Sequence, residues 1–443
     1  MKKLAAIPFG ICLSLLLSAH SLYSQSIPHL QKKGSTQELI VDGKPFLILG
    51  GELGNSTASS TDYIRPFWEG FKEMHLNTVL APVYWELMEP QEGRFDFALV
   101  DSIIQMSRDN HLKLILLWFG SWKNSMSCYA PSWVKTNQSR FPRATGHNGK
   151  GLEILSAFSK HNLDADAKAF AALMRHLKAS DTAHTVIMMQ VENEIGMLTE
   201  ARERTPEADK AFGQEVPKAL LDYLLANRDQ LVPELKDHWS ATNFTTKGNW
   251  ETVFGKSLAT DELFQAWFYA RYANTVAAAG RKEYPLPMYV NAALNYRNLQ
   301  PGQYPSAGPL PHIMDIWQAA APSIDMLSPD FYNPYFKHYN DLYTRRNNPL
   351  FIPEIRLEPS DAGKVFYAVG HYQAIGFAPF SIESADHPEN QAIGKSYSVL
   401  TQLAPDILKY RGTGKMDAVL LDTGTKTQEL VLGNYKLTIS HDY

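Results

Sequence analysis

Two segments carry glutamates in a setting that could do chemistry: Gln190-Val191-Glu192-Asn193-Glu194-Ile195-Gly196 and Leu350-Phe351-Ile352-Pro353-Glu354-Ile355-Arg356. Each places a carboxylate just after a short apolar run, Val186-Ile187-Met188-Met189 in the first and Leu350-Phe351-Ile352 in the second. Two carboxyl groups facing one pocket from different strands suit hydrolysis of a glycosidic bond. One is protonated and donates to the leaving oxygen, while the other is ionised and attacks the anomeric carbon. Taken singly, neither segment is specific. Glu192 and Glu194 could open a helix, whose first turn welcomes negative charge, and Glu354 could form a structural ion pair with Arg356. In a regular strand Gln190, Glu192 and Glu194 share a face, with Glu194 outermost and best placed to meet a substrate.

The elements around these segments alternate between apolar runs and helix-period stretches, the pattern of βα units. Eight strands are predicted, at 45–50, 77–81, 112–118, 185–191, 287–291, 324–328, 349–353 and 374–380. Several are nearly continuous apolar runs, as strands buried on both faces must be. Helical faces are read at 164–177, 216–227 and 261–279. The fold expected is α/β, a (β/α)8 TIM barrel, and both glutamates then end strands (the fourth and the seventh) at the C-terminal mouth where active sites of that fold lie. A long connection after the fourth strand carries Trp239, Trp250 and Trp267 and is expected to shape specificity. After Gly412 and Gly414 the pattern changes to short strands at 418–421, 429–432 and 435–440. Three units are therefore expected: a leader at 1–26, a catalytic barrel at 27–410 and a short β-strand appendage at 411–443.

Bulk properties narrow the field. A formal net charge of −4 gives no electrostatic case for nucleic acid or an anionic membrane surface. Lys2 and Lys3, the apolar stretch from Leu4 to Leu17 and the small Ser24 and Ser26 read as a signal peptide, too short for a membrane span. An exported protein, periplasmic or extracellular and without a membrane anchor, is expected. Cys12 would leave with the leader, so Cys128 has no partner for an internal disulfide and a cysteine-rich zinc site is excluded. No cofactor is expected. The run from Gly146 to Gly151 lacks the spacing and the Ser or Thr of a phosphate loop, and no nucleophile-elbow motif appears.

Further motifs carry a resemblance. Leu76-Asn77-Thr78-Val79, Trp85-Glu86-Leu87-Met88-Glu89-Pro90 and Gly93-Arg94-Phe95-Asp96-Phe97, with the Asn193-Glu194 block, resemble the family 35 β-galactosidases of glycoside hydrolase clan A. The likeness covers roughly residues 35 to 400 in element order, its close motifs only short stretches. It implies that Glu194 is the acid/base, Glu354 the nucleophile and Asn193 a ligand to the 2-hydroxyl. With those roles Glu354 is expected to be ionised, held so by hydrogen bonds or a cation such as Arg356, and Glu194 to keep its proton through partial burial and the nearby charge of Glu354. At positions that touch the glycone in that family this chain differs, with Pro82, Glu86, Met88 and the segment Phe119-Gly120-Ser121-Trp122-Lys123-Asn124. Other candidates are Trp122 as a stacking platform or rim packing, Asn124 as a substrate ligand and Tyr332 as a hydrogen-bond partner of the nucleophile. Glu86 and Glu383 are candidates to bind sugar hydroxyls, Glu86 alternatively pairing with Lys123. The activity expected is that of a retaining exo-glycosidase acting on carbohydrate, a β-galactosidase foremost. A β-glycosidase of other specificity, on a β-xyloside or a plant polysaccharide side chain, is the alternative, and a non-catalytic carbohydrate-binding barrel the rival.

Overall fold

The computed structural model describes residues 26–295, 298–421 and 424–440, so the leader and Cys12 lie outside the described residues. Eight parallel strands form a closed barrel: Ile48–Glu52, Thr78–Tyr84, Lys113–Lys123, Val186–Asn193, Met288–Ala293, Met326–Phe331, Phe351–Ile355 and Gly376–Pro379. Closure comes from the eighth strand pairing the first, through Gly376 with Ile48 and Phe377 with Leu49. Nearly every barrel-strand residue is buried, which accounts for the unbroken apolar runs in the sequence.

The first strand begins later than expected. Pro45 belongs instead to an antiparallel sheet of His29–Lys33, Thr36–Val41 and Lys44–Phe46, in which it pairs with Ile40. Two helices brace the third and fourth strands. Lys160–Ser180 is capped by Ser159, whose side chain accepts from the Asn162 amide, and buries Ala169, Phe170, Leu173, Met174 and Leu177. Leu258–Glu283 is capped in the same way by Ser257. The two helices approach closely at Gly280, where a β-carbon would lie 2.3 Å from the Phe170 ring.

The insertion after the fourth strand folds as short helices packed outside Leu258–Glu283. Trp239, Trp250 and Trp267 are its core, all but inaccessible. Arg202 ties it together, its guanidinium 4.0 Å from the Phe212 ring and paired with Asp209 and Asp261. Residues 146–150 turn the hairpin of Arg143–Thr145 and Gly151–Leu155. Beyond the last barrel helix, Ala392–Tyr410, residues 418–421 form no strand. They run against the barrel side, where Lys337 Nζ donates to the Leu420 carbonyl at 2.6 Å. The two later strands, Thr427–Leu432 and Tyr435–Ser440, pair as an antiparallel hairpin.

Candidate active site

The fourth strand departs from regular alternation where its carboxylates begin. Glu192 and Glu194 both take left-handed backbone angles, φ 60° and 44°, each costing about 1 kcal/mol or more for a residue with a β-carbon. As a result the two glutamates are not equivalent. Glu192 turns into a buried network, where its carboxylate accepts from the Trp122 amide at 2.8 Å. Asp166, from helix Lys160–Ser180, completes that network by accepting from Trp118 Nε1 at 2.8 Å, the Ser121 amide at 3.1 Å and Tyr272 Oη at 3.3 Å. Burial first and the Asp166 charge second push the Glu192 carboxyl well above the usual carboxylate range.

Glu194 stands at the mouth and is fixed from three sides. Its amide donates to Asn291 Oδ1 at 2.9 Å, its carbonyl accepts from the Ser125 amide at 3.2 Å, and its carboxylate accepts from Asn124 Nδ2. Asn291, on the fifth strand, donates in turn to Asp330 at 2.8 Å, and Asp330 is the neighbour of Glu354 across the sixth and seventh strands. Oxygens of Glu194, Asp330 and Glu354 thereby lie within 4.8 Å of one another. Tyr332, two residues past Asp330, donates its phenol proton to Glu354 Oε1.

The cluster is strongly acidic. Glu52 ends the first strand fully buried, with neither carboxylate oxygen hydrogen-bonded. Burial and then the charge of Glu354 raise both Glu52 and Asp330 well above the carboxylate range. Glu354 is pushed up to about 7 by burial and the Glu194 charge, against the pull of Lys123 and the Tyr332 hydrogen bond. An all-oxygen trio of this kind has the chemistry to chelate a hard divalent cation, but the Lys123 ammonium already supplies positive charge to Glu354 and Glu52. Because folding raises the pKa of Glu52, the folded chain loses stability as pH climbs from the ordinary carboxylate range toward that raised value. Glu52→Gln, which removes the ionisation and keeps the shape, should therefore raise the melting temperature at pH 8 and leave it nearly unchanged at pH 4.5. Equal effects at both pH values would refute this.

The other candidates sort unevenly. Trp122 is fully buried and met edge-on by Tyr269 and Tyr272, so it packs behind the site and offers no face to a sugar. Glu86 pairs with Lys135 at 3.0 Å and not with Lys123, because Lys123 is drawn into the barrel. Glu383 accepts from the Gly54 amide and from Thr57 Oγ1 at 2.6 Å, pinning the loop after the first strand. Arg356 does not hold Glu354. Half exposed, it lies over the Tyr332 ring at 5.4 Å and reaches Glu358 at 3.8 Å. Glu89 accepts from Trp85 Nε1 at 2.8 Å and the Gly93 amide at 2.7 Å, so the block 85–93 is a self-bonded turn. Asn291, Asp330 and Glu52 escaped the reading of the sequence, which named Lys123 only within the segment 119–124 and as an alternative partner of Glu86. The one signal these four share is a polar residue within two positions of the C-terminal end of a barrel strand.

Residues 59–275 match a family model described as beta-galactosidase (glycoside hydrolase 42), and 393–443 one described as a domain of unknown function. The first is a different β-galactosidase family from family 35, which the motifs at 76–97 resemble. A beta-galactosidase from Xanthomonas manihotis is 28% identical over 212 residues, 44% of this chain and 31% of the relative. The match thus spans under a third of that relative's length. Among solved structures, a β-galactosidase from Rahnella sp. R3 superposes with TM-score 0.55 at 17% identity, over 82% of this chain and 57% of that one. The catalytic domain of a β-amylase from Paenibacillus polymyxa gives TM-score 0.57 at 12% identity, over 80% and 97%. At these identities the structural likeness is one of fold. The chain is β-galactosidase-like, similar to the clan A glycoside hydrolases and built on the same closed (β/α)8 barrel.

Proposed function

We propose that this chain is a retaining exo-acting glycoside hydrolase that removes a terminal β-linked sugar, galactose in the first instance, with Glu194 as acid/base and Glu354 as nucleophile. One observation carries the reading: carboxylate oxygens of the two residues lie within 4.8 Å of each other at the barrel mouth. An oxygen of each lying this near the other favours the close carboxyl groups of retaining pairs, about 5 to 5.5 Å apart, over those of inverting pairs, about 6.5 to 9.5 Å apart with room for a water. The likeness to relatives named beta-galactosidase supports galactose. The family 35 motifs at 76–97 support the same reaction. The differences at Pro82, Glu86 and Met88 favour testing other β-glycones, xylosides among them.

In the first step Glu354 attacks the anomeric carbon while Glu194 protonates the departing oxygen. In the second, Glu194 takes a proton from water as that water displaces Glu354. Asn124 orients the acid/base and Tyr332 the nucleophile. The leader at 1–26 supports an exported enzyme, and N-terminal sequencing of secreted material should find a start near Ser24 to Ile27.

A panel of aryl β-glycosides, with the first-formed anomer followed by proton NMR, tests this. The β-anomer should appear first. An α-anomer appearing first would sink the retaining assignment, and absence of any turnover would favour the non-catalytic barrel. Since Glu354 is held at about 7, kcat/KM should fall about tenfold per pH unit below that value as the nucleophile takes up a proton.

A further inference from the structure

Strand three makes an unusual return to the ladder. Trp118 pairs with Val191, but the next paired residue is Lys123, opposite Asn193, so residues 119–122 bulge out of register. The bulge sends Trp122 outward and brings Lys123 back at the mouth, locked by reciprocal backbone bonds with Met126 at 2.7 and 3.0 Å. The Lys123 side chain is buried, its Nζ 2.8 Å from Asn193 Oδ1 and 5.0 Å from the centre of the Phe119 ring.

We infer that Lys123 is a positioning residue for the proposed reaction: it fixes the orientation of the Asn193 amide and supplies buried positive charge to the carboxyl groups around Glu354. An ammonium only donates, so the atom facing it must be the amide oxygen. Asn193 Nδ2 is then the group left over, and it is buried with no partner in the protein. A buried donor of this kind is costly to leave unpaired, and an incoming hydroxyl would satisfy it.

The charge has an equally definite setting. Facing Glu354 are Glu52 from the first strand, Glu194 after the fourth, Tyr289 from the fifth, and Asp330 and Tyr332 from the end of the sixth. Glu383 faces Glu52 from beyond the eighth strand, and Cys128 lies within the field of Lys123. Four carboxyl groups in one buried cluster favour protonation of each other. Lys123 acts against that, and does so from a position that Arg356 was expected to fill.

The inference rests on the glycosidase reading, and two variants separate its halves. Lys123→Met removes both charge and donor. Lys123→Gln removes the charge but leaves an amide able to donate to Asn193. In the full chain, both should move the acid limb of kcat/KM for an aryl glycoside upward by about one pH unit or more, a loss of about tenfold or more at pH 6. Lys123→Met should also narrow the preference for a substrate over its 2-deoxy analogue, while Lys123→Gln keeps that preference. Lys123→Arg, which keeps the charge, should return the limb toward its original place. Folded variants whose acid limbs superimpose on that of the unaltered chain would overturn the inference while leaving the glycosidase reading intact. If the unaltered chain turns over no glycoside, that reading fails, and thermal melts still decide the role of Lys123. The gap in melting temperature between the unaltered chain and either variant should widen from pH 5 to pH 8 as the carboxyls ionise. Parallel curves would overturn it.

Discussion

Glu354→Ala is expected to abolish turnover of every glycoside, by a factor on the order of 10⁵ or more, because no covalent intermediate can form without the nucleophile. Glu194→Ala should fail differently. A nitrophenyl leaving group needs little protonation, so the first step survives on activated substrates, while unactivated glycosides lose about 10²- to 10⁴-fold. Azide discriminates between the two. In Glu354→Ala it can occupy the vacated space and attack the anomeric carbon directly, giving a glycosyl azide of inverted configuration. In Glu194→Ala it intercepts the glycosyl-enzyme and gives a product of retained configuration. NMR of the azide product reads the outcome, and a swap of the two anomers would reverse the assignment. Glu192→Ala belongs in the same experiment. Since Glu192 faces Asp166 and the Trp122 amide away from the mouth, its loss should reduce stability without azide rescue. An azide-rescued Glu192→Ala beside a fully active Glu194→Ala would place the acid/base two residues earlier.

Trp118→Ala is expected to cost about 3 to 5 kcal/mol of folding free energy. The side chain is fully buried between Trp85 and Phe170, with ring centroids at 6.3 and 5.7 Å. Its removal opens a cavity and also strips the Asp166 carboxylate of a buried donor. Asp166 also holds Ser121 and Tyr272 and adjoins Glu192. The damage should therefore spread to the bulge that delivers Lys123. A denaturant titration should show the midpoint falling well below that of the unaltered chain, and Trp118→Phe, which keeps most of the volume, should lie between. A midpoint for Trp118→Ala equal to the parent's would mean that the network does not depend on this indole.

The barrel strands were legible because burial on both faces leaves an apolar run that turns and helices interrupt. Glu194 and Glu354 were legible for a related reason, since a charge directly after such a run has few structural uses. Residues that act through closure of the barrel left no local trace. Asp330 and Asn291 meet only because the fifth and sixth strands are neighbours in space, and Lys123 reaches Asn193 only through the bulge. The left-handed angles at Glu192 and Glu194 separate two carboxylates that regular alternation would have put together, and nothing in Glu-Asn-Glu announces that. The N-terminal sheet was missed because His29–Lys33 is largely polar, although Asp42-Gly43 between two short strands is a hairpin signal. Residues 418–421 are apolar but have no ladder partner. They lie against Gly370, where a β-carbon would come within 2.6 Å of Ala418, so their apolar character reflects packing and not pairing.

The pairing of Ile48 with Gly376 sets a timetable for synthesis. The first barrel strand leaves the ribosome hundreds of residues before the strand that must cover its free edge. At roughly 5 to 20 residues per second that interval is about 15 to 65 s. During it, the Ile48-Leu49 edge presents unpaired amide and carbonyl groups beside apolar side chains, a template for association with another chain. The later strands cannot shorten the wait, because each extends the sheet on its other side. In chain produced without the leader, so that it folds where it is made, yield should thus depend on what shields residues 48–52, and slowing translation before residue 376 should increase aggregation.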